Sequence, residues 1–193
     1  MIGNDIVDLE LAAVQSNWRR KGFLHKVFTD SERELIASSE NQDLFVWLLW
    51  SMKEAAYKAH QRRFSLPRRL DFKFQECTSI GALKEVSEGV VTVGRNRYHT
   101  WTRITSVSLH TIAVEGPGFS FKKGFFQLPS SGARANLLRQ ISEGKKLALD
   151  QLSIEKNCAG IPYISYKNQW LPLPFSLSAH GRFSGFCHPL MNS

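Results

Sequence analysis

An unbroken apolar run, Leu44-Phe45-Val46-Trp47-Leu48-Leu49-Trp50, leads directly into Ser51-Met52-Lys53-Glu54-Ala55-Ala56-Tyr57-Lys58-Ala59. A helix that is apolar all round belongs inside a protein rather than on its surface, so the remaining chain has to be built around this segment. The pattern predicts one long helix from Asp43 to about Arg62 or Arg63. On it Glu54 and Lys58, four residues apart, share a face. Such a spacing most often makes an ordinary surface ion pair. Charges that emerge from a buried helix are a different case, because their burial is costly unless a ligand or ion compensates it. A carboxylate suits a hard metal ion, and a neighbouring lysine suits phosphate.

The segments around this helix read as a mixed fold. Ile2 to Leu9 has the character of a short buried strand, with Asp5 planted among Ile6, Val7 and Leu9. A turn of helix is expected from there to about Ser16. Thr29-Asp30-Ser31-Glu32 has the spacing of a capping box, so a helix should run on through Leu35 and Ile36. Pro67 breaks the long helix. Leu70-Asp71-Phe72-Lys73-Phe74 alternates like a half-exposed strand, and Val90 to Val93, Tyr98 to Thr102 and Val107 to Val114 continue the set, with a turn containing Asn96.

Gly116-Pro117-Gly118 marks a connection, after which the pattern begins again. Phe119 to Gln127 is aromatic and basic, Ala133 to about Asp150 has helical spacing, and Pro162 to Ile164 opens a strand-rich stretch. The expectation is an α+β fold of two similar subdomains, residues 1–116 and 119–193, arranged as a pseudo-dimer in which each half packs an antiparallel sheet on a long helix.

At 193 residues the chain can bury a real core. Its 25 Lys+Arg against 17 Asp+Glu give a net charge of +8, which favours an anionic partner. Cys77, Cys158 and Cys187 are odd in number and lack paired ligand spacing, which implies a reduced, cytoplasmic setting. No secretory signal is expected at the N-terminus, and the longest apolar run is far below the roughly 20 residues of a membrane span. Nucleic-acid binding would rest on charge alone, with no stacking motif or groove-reading helix to support it.

Two groups of residues carry candidate chemistry. Asp5 and Glu54, one on a strand and one on a helix able to pack against it, are the candidate metal ligands; magnesium takes a few carboxylates and completes its shell with water and phosphate. Asp8 is a weaker candidate because it faces away from Asp5, and it is expected to begin the next helix or to support the site from behind the ligands. Phe175-Ser176-Leu177-Ser178-Ala179-His180-Gly181-Arg182 is the second group, with donors suited to an anion and a glycine permitting close approach. The other histidines share no ligand spacing. Arg62-Arg63 and Arg68-Arg69 read either as solvated ends or, with Arg19, Arg20 and Lys21, as a patch for an acidic partner.

These motifs resemble the 4′-phosphopantetheinyl transferase superfamily. Gly3-Asn4-Asp5-Ile6-Val7-Asp8 is similar to its Gly-x-Asp-Ile element, and Trp50 to Lys58 to its Trp-x-x-Lys-Glu-Ala-x-x-Lys element. Leu137-Leu138-Arg139, Gly160-Ile161-Pro162-Tyr163-Ile164 and Phe175-Ser176-Leu177-Ser178 resemble the first half of the two-domain type, which here follows the Gly-x-Asp half, so a permuted order of halves is expected. The competing view is a small trimeric synthase with an inserted C-terminal region.

The resemblance implies transfer of the phosphopantetheine arm of coenzyme A to a serine of an acidic apo carrier protein, releasing 3′,5′-ADP, by a monomer that involves neither nucleic acid nor membrane. It implies Mg²⁺ on Asp5 and Glu54, Lys58 at the leaving phosphate, and Glu54 or a water on the metal as proton acceptor. Coenzyme A contacts are expected from Lys58, Ser178, His180, Arg182 and Arg134, with Lys122 and Lys123 as further candidates for the 3′-phosphate. The alternative is a non-catalytic module that binds carrier protein or coenzyme A.

Three positions depart from the family pattern. Ser178-Ala179 stands where Ser-His is usual, with His180 one place late, so that His180 either takes over a phosphate contact or that contact is lost. Gly160-Ile161-Pro162 replaces Gly-Lys-Pro and removes a cation. Val7 replaces an acidic residue, leaving two protein carboxylates for the metal.

Overall fold

The computed structural model describes residues 1–69, 71–116, 120–127 and 130–190, and among them the chain is a mixed α+β structure with antiparallel sheets, as expected. Strand β1 (Ile2–Asp8) leads into α1 (Leu9–Gln15), α2 (Phe23–Val27), α3 (Asp30–Ser38) and the long α4 (Gln42–Phe64). Strands β2 (Gln75–Ile80), β3 (Val86–Val93), β4 (Asn96–Ile104) and β5 (Ser108–Glu115) complete a five-stranded sheet in the order β1-β5-β4-β3-β2. After it come β6 (Phe121–Phe126), α5 (Ser130–Lys145), β7 (Leu152–Lys156), β8 (Pro162–Tyr166), β9 (Gln169–Leu171), β10 (Ser176–His180) and β11 (Phe183–Pro189). These later strands form two three-stranded sheets, β10-β11-β6 and β7-β8-β9. Helix α5 lies against both through Ala133, Leu137 and Ile141.

Helix α4 is the central member of the first half. Asn41 caps its start by accepting from the Leu44 amide, and it ends at Ser65 in a left-handed conformation, φ 51, two residues before Pro67. Its apolar run is buried as its composition requires, with Val46, Leu48 and Leu49 fully enclosed. Among the described residues no helix is long and apolar enough to cross a membrane.

Two expected elements differ. Residues Phe72–Phe74 form a 3₁₀ turn rather than a strand, because the Asp71 carboxylate accepts from the Lys73 amide and Phe72 turns inward against Trp50, ring centroids 4.5 Å apart. Helix α5 stops at Lys145 instead of Asp150, since Lys146 is left-handed at φ 53 and the Ser142 hydroxyl donates to the Leu147 carbonyl. The Asn96 turn is made by Gly94 and Arg95, with Asn96 opening β4. Leu70, Pro117, Gly118 and Phe119, all part of sequence expectations, lie outside the described residues.

Strand β1 is buried along its whole length, although it is an edge of its sheet. One face lies on α4 so closely that a Cβ on Gly3 would collide with the Ala55 carbonyl and the Ala59 amide. Glycine is required there by backbone approach. The free edge of β1 is covered by β10. The Asn4 amide donates to Ser176 Oγ at 3.0 Å and the Asp8 amide to His180 Nδ1 at 3.0 Å, both across 172 residues, so the two strands run in the same direction. Side chains thus satisfy edge groups that would otherwise be buried without partners.

Beside Glu54, Lys53 points the opposite way and is fully buried with Glu32. Its ammonium donates to Glu32 Oε2 at 2.5 Å, to the Val27 carbonyl at 2.9 Å and to the Phe72 carbonyl at 3.2 Å. Glu32 in turn accepts from the Thr29 amide, closing the expected capping box, and from the Cys77 amide. All donors of Lys53 are engaged, so this pair ties α2, α3, α4 and β2 together.

Lys53→Met should cost about 3–5 kcal/mol, because it leaves Glu32 buried and uncompensated. Adding Glu32→Gln should recover part of that loss in denaturant unfolding; an additive double variant would deny the coupling. Gly3→Ala should lower stability by at least about 2 kcal/mol through the forced separation of β1 from α4, read as a shift in the unfolding midpoint.

Candidate functional site

Three elements meet at the middle of β1. Asp5 projects from β1 on the same side as Gly3, toward α4, and its Oδ1 accepts from Lys58 Nζ at 2.9 Å and from Ser178 Oγ of β10 at 3.2 Å. Lys58 also donates to the Asn4 carbonyl at 3.0 Å and to Ser178 Oγ at 3.2 Å. The lysine four residues after Glu54 is therefore committed to β1 and β10, and among the described residues it makes no ion pair with Glu54. Behind the site, Asn4 Nδ2 lies 3.3 Å from His110 Nε2. Burial, then Lys123, Lys58 and Arg103, push His110 down to about 3, so the ring is neutral and can accept from Asn4.

Glu54 has the opposite surroundings. No hydrogen bond to its carboxylate is seen among the described residues, and burial, followed by the charge of Asp5, pushes it up to about 7 against the pull of Lys58 and Arg68. Two carboxylates close enough to repel, one without a donor, make a site that a cation would relieve. No third His, Cys, Asp or Glu joins them as a metal ligand among the described residues. The donor set is hard oxygen, which fits magnesium completed by water and phosphate.

Of the expected anion contacts, Ser178 is in the cluster. His180 shares its face of β10, two residues on, and uses Nδ1 to accept the Asp8 amide, while Ala179 points outward and is exposed. The one-place displacement thus moves the ring to the side of β10 that faces β1. Arg182 is divided between two carboxylates, Asp8 through Nε at 2.9 Å and Nη2 at 2.8 Å, and Glu10 through Nη1 at 2.8 Å. Arg134 stands exposed in the first turns of α5 with no hydrogen bond to these residues among those described, and Lys122 and Lys123 are exposed on β6.

Asp8 caps α1, as expected, by accepting from the Leu11 amide, and it also holds Arg182. Arg62 differs from a solvated end: it is largely enclosed, one turn beyond Lys58, and lines a groove of about 640 Å³ with Ile161 and Pro162. The sequence reading of Arg62 as a solvated end or patch residue missed this, and the four-residue spacing of Glu54, Lys58 and Arg62 is the signal that could have found it. Arg63, next in sequence, is exposed and pairs with Glu115 at 3.2 Å.

The sequence profile of the 4′-phosphopantetheinyl transferase superfamily matches residues 1–110. No curated protein matches the chain. Among solved structures, it is similar to the holo-[acyl-carrier-protein] synthase of Thermotoga maritima, at 14% identity over 88% of this chain and 83% of that one, with a TM-score of 0.44.

Hydrogen bonds from Arg182, outweighing the cost of burial, hold the Asp8 carboxyl well below its ordinary 3.8. A depressed folded value means that Asp8 stabilises the fold above the unfolded value and that this contribution is lost as pH falls. Asp8→Asn should therefore lower stability at neutral pH and flatten the decline below 3.8, measured as denaturant midpoints across pH. An unchanged acid slope would assign that decline to other carboxylates.

Proposed function

We propose a mechanism from the premise that the chain belongs to the 4′-phosphopantetheinyl transferase superfamily, and is thus an enzyme that transfers a phosphopantetheine group to a carrier protein. The observation that carries the mechanism is the facing pair Asp5 and Glu54, with Lys58 and Ser178 fastened to Asp5. The donor is coenzyme A. Asp5 and Glu54 would hold magnesium, which when bound neutralises pyrophosphate charge and orients it. The carrier serine attacks the phosphorus that bears the pantetheine arm; its O–P bond forms as the bond to the 3′,5′-ADP oxygen breaks. Burial and the charge of Asp5 raise the Glu54 carboxyl before a cation arrives; with the site filled, either Glu54 or a water held beside it would take the serine proton. Lys58 places its ammonium at the leaving phosphate and exchanges one of its present hydrogen bonds for that oxygen. His180, on the same face of β10 as Ser178, accepts through Nδ1 and so offers Nε2 as a donor at the same wall, while Ser178 holds Asp5 and Lys58 in place.

The enzyme acts as a cytoplasmic monomer, its two halves, residues 1–116 and 119–193, standing for two subunits in permuted order. Free cysteines at 77, 158 and 187 accord with a reducing compartment. The net charge of +8 favours an acidic carrier. The Arg19, Arg20 and Lys21 loop, which lines a surface crevice of about 370 Å³ with His25 and Arg33, is a basic surface available to it.

Incubation with coenzyme A, magnesium and a panel of apo carrier proteins should add the phosphopantetheine mass to at least one carrier. Folded protein that binds coenzyme A yet modifies none would instead support a binding module. Asp5→Asn and Glu54→Gln should each lower turnover by at least about a hundredfold, while Lys58→Ala should reduce kcat more than it raises KM. Full activity in any variant removes that residue from its role.

A further inference from the structure

Arg62 extends the Glu54–Lys58 series by another four residues along α4, and its surroundings set it apart from the other arginines. Nη1 donates to the Lys58 carbonyl at 2.9 Å, while Nε lies out of solvent with no hydrogen-bond partner among the described residues. Burial pushes the guanidinium down to about 10, and no carboxylate pairs with it among the described residues. A cation left in this condition is costly unless an anion completes its bonding. The groove it lines, about 640 Å³, is within the usual range for small-molecule sites. Its facing wall is Ile161, Pro162 and Tyr163, with Trp170 offering an indole that is 70% exposed. Isoleucine occupies the position where the Gly-x-Pro element of the resembled family carries its cation.

We propose that Arg62 anchors a phosphate of the adenosine 3′,5′-bisphosphate end of coenzyme A in this groove, across from Ile161, with Trp170 and Tyr163 as the wall for the base. The assignment rests on the transferase reading for the identity of the ligand and on the groove itself for the residue. Guanidinium suits this task because its donors form a planar fork that engages two phosphate oxygens together. Continuity along one helix face then orders the ligand, with the nucleotide phosphate at Arg62, the leaving oxygen at Lys58 and the reacting phosphorus near Glu54.

Equilibrium binding of adenosine 3′,5′-bisphosphate and of adenosine, followed by calorimetry on the full chain, tests the residue without turnover. Arg62→Gln should weaken the bisphosphate by about tenfold or more and leave adenosine unchanged, as expected for a lost charge-assisted pair. Arg62→Lys should retain part of the affinity. Arg62→Gln combined with Ile161→Lys should recover it, because the cation is returned from the facing wall. In transfer assays the same single change should raise KM for coenzyme A more than it lowers kcat. Unchanged bisphosphate affinity in Arg62→Gln, or an equal fall for adenosine, overturns the assignment. A wild-type chain that binds the bisphosphate through Arg62 but modifies no carrier defeats the transferase reading and leaves the anchor standing.

Discussion

The arrangement depends on an edge strand that is not left as an edge. β1 is pressed on one side against α4, where Gly3 removes the Cβ that would keep them apart, and it is flanked by β10 along its free edge. Burying an unpaired strand edge would leave amides and carbonyls without partners. Here Ser176, His180 and Lys58 supply those partners from outside the sheet. The same close approach brings the Asp5 side chain to α4 and to Ser178. The contact that joins the two halves and the contact that assembles the site are therefore one structural event, and a change that loosens the first disperses the second.

Within α4, adjacent residues show what separates a structural charge from a chemical one. Lys53 has acceptors for all three protons, and its partner Glu32 is bonded at both oxygens. A fully satisfied buried network rigidifies and has no capacity left for a ligand. Among the described residues Glu54 has no donor and lies within the field of the Asp5 carboxylate, and Arg62 keeps a buried nitrogen unpartnered. Along one helix, then, polar satisfaction is complete where the fold is held and incomplete at Glu54 and Arg62, the positions proposed to meet a cation and an anion. The two deficits have opposite sign and are two turns apart, which matches a ligand that brings both a metal and phosphates.

Local chemistry was legible in the sequence wherever a segment's own residues decide its structure. The capping box at Thr29 and Glu32, the buried helix around Trp50 and the cap at Asp8 all follow from patterns within a few residues. Reading failed where a side chain chose a distant partner. Alternation over 70–74 suggested a strand, but Phe72 turned inward to Trp50. Lys53 gave no sign that Glu32 would meet it, and Arg182 looked available for phosphate until Asp8 and Glu10 took its donors. His180 is the instructive intermediate. Its residue type suggested a phosphate contact, whereas its position in β10, on the face of Ser178, directs Nδ1 to the edge of β1.

The same geometry joins parts of the chain that are far apart in sequence. The β1–β10 bonds join residues 172 apart, and the Lys58–Ser178 bond joins residues 120 apart. The junction draws on β1, α4 and β5 from the earlier residues and on β10, β11 and β6 from the later ones. Each half closes its own hydrophobic cluster, one around α4 and the other around α5. A third, smaller cluster of Ile2, Ile112, Val114 and Cys187 spans them. Register between β1 and β10 is set by the Ser176 and His180 side chains along β1 and by the reach of Lys58 to Ser178, while Gly3 sets how closely β1 lies on α4.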